Sequence, residues 1–170
     1  MRLPRLIAVA AILTVTAALH VTRPDAAQPA VVPLETIRYD DLTDRVVALQ
    51  GRVVVVDFWA DYCLPCKREF PHLVELHQKY SNRGLTALSV SLDDPHDDEA
   101  RDRVRKFLAA REATFVNFLL DEKPDVWQAK LKIDGPPCVF VFDRRGRLVK
   151  RYHDHVDYAE IERLVADLLK

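Results

Sequence analysis

Cysteine, glycine and methionine are scarce in this chain: three, four and one among 170 residues, while the formal charges nearly cancel at −1. Each shortage excludes something. Three thiols are too few to staple a disulfide scaffold, so the fold must rest on an apolar core. A charge near zero offers no basic excess for phosphates, which argues against a nucleic-acid partner. Arg101, Arg103, Arg105 and Lys106 are interleaved with acids and read as a solvated helix face. No apolar run reaches the ~20 residues that comfortably span a bilayer. Internal repeats and low-complexity tracts are also missing. What remains is 49% hydrophobic and 30% charged, the balance of an ordinary globular protein, in a length that suits one domain.

The N-terminus stands apart. Residues 1–21 place Arg2 and Arg5 before an apolar stretch from Leu6 to Leu19, the layout of a secretory signal. No small-x-small cleavage site directly follows Leu19, and Asp25-Ala26-Ala27 has an acid in its first position. A cleaved signal peptide and an uncleaved membrane anchor through residues 6–21 therefore both stay open. Either predicts export, with the domain on the periplasmic or extracytoplasmic side. Residues 22–33, carrying Pro24, Pro29 and Pro33, read as a linker, and residues 34–170 as the folded domain.

Within that domain, helical and strand patterns alternate. Tyr39 to Leu49 suits a short amphipathic helix that Gly51 can stop. Arg52 to Trp59 is a β-branched apolar run, expected of a strand buried on both faces. Helical spacing follows from Cys63 to about Ser81, then a strand from Leu85 to Leu92, a helix from Asp97 to Arg111 and a strand from Thr114 to Leu120. Asp125 to Leu131 reads as a short helix. Val139–Asp143 and Leu148–His153 flank Arg144-Arg145-Gly146-Arg147, a hairpin signal, and Tyr158 to Leu169 closes the chain as a helix. This order predicts an α/β sheet with helices on both faces.

The candidate chemistry lies in Cys63-Leu64-Pro65-Cys66, between a buried strand and a helix. A zinc site normally needs four ligands, and only Cys138 and a histidine could complete one. A redox dithiol fits the strand–helix junction better. A thiolate is the species that attacks a disulfide. Unpaired N–H groups and the positive dipole at the helix start favour S⁻ on Cys63. Cys66, one turn later, can close a disulfide and release the partner. Pro65 is tolerated in the first turn and stiffens the loop. Cys63 is thus the expected nucleophile and Cys66 the resolving thiol.

The stretch Val56-Asp-Phe-Trp-Ala-Asp-Tyr-Cys-Leu-Pro-Cys-Lys-Arg-Glu-Phe-Pro71 resembles the active-site segment of thioredoxins. Glu69 and Pro71 bring it closer to the exported TlpA/ResA-like branch. A second marker agrees: Gly135-Pro136-Pro137-Cys138-Val-Phe-Val-Phe-Asp143, a Gly-x-Pro before a strand ending in Asp. The resemblance covers roughly Tyr39 to Lys170. It implies a thioredoxin-like three-layer α/β/α sandwich with a central mixed sheet and a C-terminal β-hairpin plus helix. It also implies a thiol–disulfide oxidoreductase that reduces disulfides in exported client proteins, fed by a membrane thiol-electron donor and needing no cofactor beyond its dithiol.

Residue by residue, the resemblance implies that Pro137 is a cis-proline whose loop, with Pro136, presents backbone to substrate. Asp57 would lie below Cys66 and exchange its proton; the alternative is a strand-end carboxylate that reaches water. Trp59 would line the floor of a substrate-binding site and Tyr62 its rim. Pro71 should kink the active-site helix. Trp127 reads as core.

The departures are specific. Tyr62 replaces a common Trp, Leu64-Pro65 replaces Gly-Pro or Glu-Pro, and Cys138 follows the expected cis-proline where Thr is usual. Cys138 reads either as a buried small hydrophobe or as an accessory thiol near the dithiol. A different class of function, a copper-binding chaperone, would use cysteine thiolates with His153 and His155. A peroxidase of related fold would need a Thr-containing loop before its cysteine, which this chain lacks.

Overall fold

A computed structural model describes residues 32–170. The expectations for residues 1–21, and for residues 22–31 of the linker, lie outside the described residues. The elements run β1 (Leu34–Ile37), α1 (Tyr39–Ala48), β2 (Val53–Trp59), α2 (Leu64–Tyr80), β3 (Leu85–Ser91), α3 (Asp98–Ala110), β4 (Val116–Leu120), α4 (Pro124–Leu131), β5 (Cys138–Phe142), β6 (Leu148–His153) and α5 (Tyr158–Leu168). Among the described residues, no helix is long and apolar enough to cross a membrane.

Six strands form one sheet in the order β1-β4-β3-β2-β5-β6. The β1, β4, β3 and β2 strands pair in parallel, whereas β5 and β6 join antiparallel beside β2. Gly146, at φ 73°, makes the turn of the closing hairpin. Every residue of β2 is buried, as expected of a strand with helices on both faces.

Side-chain alternation along β2 assigns the layers. Trp59 points to one face, where its ring meets Phe70 of α2 and Phe107 of α3. Asp57 shares that face and meets Tyr158 at the start of α5. Val56 and Phe58 point to the opposite face, toward Leu42 of α1 and Leu131 of α4. The chain is therefore a three-layer α/β/α sandwich. Phe58, Trp59, Phe70 and Phe118 are among its largest fully buried side chains. Each contributes roughly 1.5–3 kcal/mol by leaving water, so the end of β2 is anchored from both sides.

One strand goes beyond the sequence pattern. β1 is only four residues long and buries Ile37 alone, so no apolar run announces it. It is held by backbone pairing to β4. Helix α2 continues through Pro71, and it begins at Leu64 with Cys63 as its cap.

Candidate active site

The end of β2 and the start of α2 hold the dithiol. Cys63 and Cys66 form a disulfide, with Cα atoms 5.3 Å apart. Cys63 has extended backbone and caps α2, its sulfur accepting the Cys66 N–H at 3.2 Å. The sulfur of Cys63 therefore already sits against an N–H at the positive end of the helix, where S⁻ is stabilised once the disulfide opens. Cys63 is 7% exposed and Cys66 2%. An attacking group reaches Cys63 first.

The loop before the helix is tied down by local bonds. Cys63 N–H donates to the Ala60 carbonyl at 3.0 Å, and Leu92 N–H donates to the Trp59 carbonyl at 2.8 Å. The buried Asp93 carboxylate accepts from the Asp61 N–H at 2.8 Å and from the Ser91 hydroxyl at 2.7 Å. The Asp61 carboxylate in turn meets Lys67 Nζ at 2.7 Å and Arg103 Nε at 3.0 Å. Asp61 and Asp93 escape a reading of the sequence because each looks like an ordinary surface acid. Their signal is three-dimensional: α3 and the end of β3 brace the dithiol loop.

The loop Gly135-Pro136-Pro137, whose Pro136–Pro137 peptide bond is cis, shares its surroundings with the residues that flank the cysteines. Two clefts open on either side. One, of about 800 Å³, is lined by Pro65, Pro137, Glu69, His72 and Tyr158 among others. The second, of about 930 Å³, is lined by Tyr62 and Pro136 with Asp93 and Trp127. Tyr62 and Leu64 are strongly exposed apolar side chains next to the cysteines. Trp59 has no exposed surface, and its indole N–H donates to Ser89 Oγ at 3.4 Å. It supports the site from beneath and offers no surface to a partner. Trp127 is buried, as the sequence leads one to expect of a core residue.

Asp57 is nearly closed off from water. It is buried, and the hydroxyl of Tyr158 donates to its Oδ2 at 2.9 Å. Burial without a cation raises its pKa to about 7, the Tyr158 hydrogen bond offsetting only part of the desolvation. A carboxyl poised near neutrality can take and return a proton.

Cys138 is free and fully buried. It pairs with Phe58 across β5 and β2, so its side chain takes the Phe58 face of the sheet, opposite that of Asp57 and Trp59. Burial, reinforced by the Asp57 charge, pushes its thiol up to about 12. Such a thiol is inert at neutral pH, so the accessory-thiol expectation does not fit this placement. His153 is the register partner of Cys138, whereas His155 lines the first cleft, so the two histidines do not converge. Among the described residues, no group of three or more His, Cys, Asp and Glu side chains is arranged to hold a metal.

Residues 28–151 match the AhpC/TSA family. The chain belongs to the AhpC/TSA family. Within reach of this membership lie relatives whose names specify the chemistry. The chain is 29% identical over 106 residues to the thiol-disulfide oxidoreductase ResA of Geobacillus thermodenitrificans, covering 62% of this chain and 57% of that protein. It is 30% identical over 122 residues to Protein DipZ of Mycobacterium tuberculosis, covering 72% of this chain and 17% of DipZ. The chain thus spans little more than half of that ResA protein and a small part of DipZ. A Chlorobium tepidum crystal structure assigned as thiol:disulfide interchange protein DsbE superposes with a TM-score of 0.60 at 27% identity, covering 72% of this chain and 84% of the other. The AhpC/TSA membership, the thioredoxin-like fold and the closed Cys63–Cys66 pair agree with one another.

Proposed function

We propose that this chain is an exported thiol–disulfide oxidoreductase that reduces disulfides in client proteins through Cys63 and Cys66. The observation that carries this reading is the Cys63–Cys66 disulfide at a capped helix start, whose neighbours Tyr62 and Pro65 line clefts shared with Pro136 and Pro137. In the reduced enzyme the Cys63 thiolate attacks a client disulfide and displaces one client sulfur. Cys66 loses its proton to Asp57 and attacks the Cys63 sulfur, which closes the disulfide and releases the second client sulfur as a thiolate. Pro136 and Pro137 would present backbone to the client, with Tyr62 and Leu64 as apolar rim. Export follows from the signal-like segment at residues 1–21, which ends in cleavage or leaves a tether through residues 6–21. By analogy with the TlpA/ResA-like branch, a membrane thiol-electron donor would restore the dithiol. No observation favours the copper-carrier alternative.

Trapping tests the assignment. Cys66→Ser should accumulate mixed disulfides through Cys63, identified by peptide mapping after acid quench. Equal trapping through Cys66 in Cys63→Ser would reverse the roles of the two thiols. Trapping in neither variant would remove the oxidoreductase reading.

A further inference from the structure

A carboxyl that accepts a proton in a buried site must also be able to lose it. Asp57 is buried within β2, 4% exposed, and among the described residues Tyr158 is its one side-chain hydrogen-bond partner. Tyr158 is also a wall residue of the cleft beside Pro65 and Pro137. Tyr158 therefore touches both the buried carboxylate and the cleft. Its position is fixed, because Asp157 caps α5 by accepting from the Ala159 and Glu160 N–H groups at 2.9 and 3.1 Å. The His72 ring stands 5.7 Å from the Tyr158 ring on the cleft side.

We propose that Tyr158 is a positioning residue that carries the proton of Asp57 to and from the cleft. The inference rests on the disulfide-exchange reading above and deepens it. After Cys66 gives its proton to Asp57 and bonds to the Cys63 sulfur, Asp57 holds that proton as a neutral acid. It passes the proton to the Tyr158 oxygen while the phenol releases its own proton to water in the cleft. The hydroxyl then turns back to donate to the carboxylate. Tyr158 is neutral before and after, and neither Asp57 nor Tyr158 changes oxidation state. Net transfer is one proton from Cys66 to solvent.

Other titratable groups line the same cleft: Arg68, Glu75 and Lys79 from α2, Asp154, His155 and Asp157 ahead of α5, and Glu162 on it. From α2, Glu69 and His72 face Tyr158, and the Glu69 charge helps hold the phenol protonated. From β5, Cys138 feels the Asp57 charge through the sheet and stays a thiol. From β3, the register partner of Asp57 is Ser89, which does not titrate. From β6, Tyr152 pairs with Val139, one strand further from Asp57.

The test mixes reduced protein with dithiobis-nitrobenzoate in a stopped-flow instrument across a pH series. A first thiolate is released when Cys63 attacks, and a second when Cys66 resolves the mixed disulfide. In Tyr158→Phe the first phase should be unchanged, while the second slows about ten-fold at neutral pH, the scale of one hydrogen bond to a charged group. The pH midpoint of that second phase should also move upward. An unchanged second phase in Tyr158→Phe, with Asp57→Asn slowed, overturns the relay and leaves the role of Asp57 intact. If neither variant slows the second phase, the proton role of Asp57 itself fails. Should Tyr158→Phe not fold, difluorotyrosine placed at 158 keeps the hydroxyl and makes it more acidic. The midpoint should then move downward, and an unmoved midpoint overturns the proposal.

Discussion

Asp57 in β2 and Asp143 just beyond β5 are both buried aspartates on neighbouring strands, yet their carboxyls shift in opposite directions. Asp143 accepts from the Arg145 and Arg147 N–H groups at 2.9 and 3.0 Å and from the Arg147 side chain at 2.8 and 2.6 Å. Those bonds hold it below the usual carboxylate range. Asp57 receives one hydroxyl and is pushed up to about 7. Loss of water is the leading cause at Asp57, whereas at Asp143, on the rim of the hairpin, the supply of donors and cations wins. One aspartate is held ionised to close a hairpin. The other is left near the point where it can change state.

The largest effect should come from removing the carboxylate with too few partners. Its pKa is raised on folding, so its contribution to stability is fully present below the unfolded value of 3.8 and is lost as pH rises through about 7. Across that window the oxidised protein should lose roughly 4 kcal/mol. Asp57→Asn should flatten that slope and be the more stable protein at alkaline pH. Urea unfolding midpoints measured from acid to alkaline pH check this. Parallel slopes for the two proteins would mean that Asp57 is solvated or paired.

Asp143→Asn should act with the opposite sign. The pKa of Asp143 is depressed on folding, so its contribution is present above the unfolded carboxylate range and lost as pH falls through its lowered folded value. The variant should melt at a lower temperature than the parent at neutral pH, with the gap closing in acid. A constant gap across pH would trace the effect to lost turn geometry and not to charge.

The contrast was half legible in the sequence. Asp143 and its partners lie within the segment Asp143-Arg144-Arg145-Gly146-Arg147, so a hairpin reading brings them together. The Asp57–Tyr158 bond joins residues 101 apart, and no local pattern links them. The same division holds elsewhere. Periodicity and turn residues expose β2, α2, the hairpin and α5, because each carries its own apolar pattern. β1 stays hidden because its stability comes from β4 and not from its own four residues. Cys63 and Cys66 are readable as a pair from their spacing at a strand–helix junction. The bracing of Asp61 by Lys67 and Arg103 is not, since Arg103 arrives from α3.

The smallest effect sharpens the comparison between the two faces of the sheet. Cys138 lies on the face away from Asp57, so Cys138→Ala should leave both phases of the dithiobis-nitrobenzoate reaction unchanged. The lost buried sulfur should cost about 1 kcal/mol of stability, within the usual range for a single core substitution. A change in either phase would bring Cys138 back into the chemistry.

The most direct measurement is an equilibrium titration of residues 29–170 against defined thiol–disulfide buffers, with free thiols counted by alkylation and mass. The expected result is one reversible two-thiol transition confined to Cys63 and Cys66, Cys138 remaining a free thiol throughout. A midpoint near thioredoxin's, roughly −270 mV, fits a reductase that must be fed electrons, whereas one near roughly −120 mV reverses the direction. Failure of Cys63 and Cys66 to interconvert reversibly between dithiol and disulfide would contradict the oxidoreductase reading at its root.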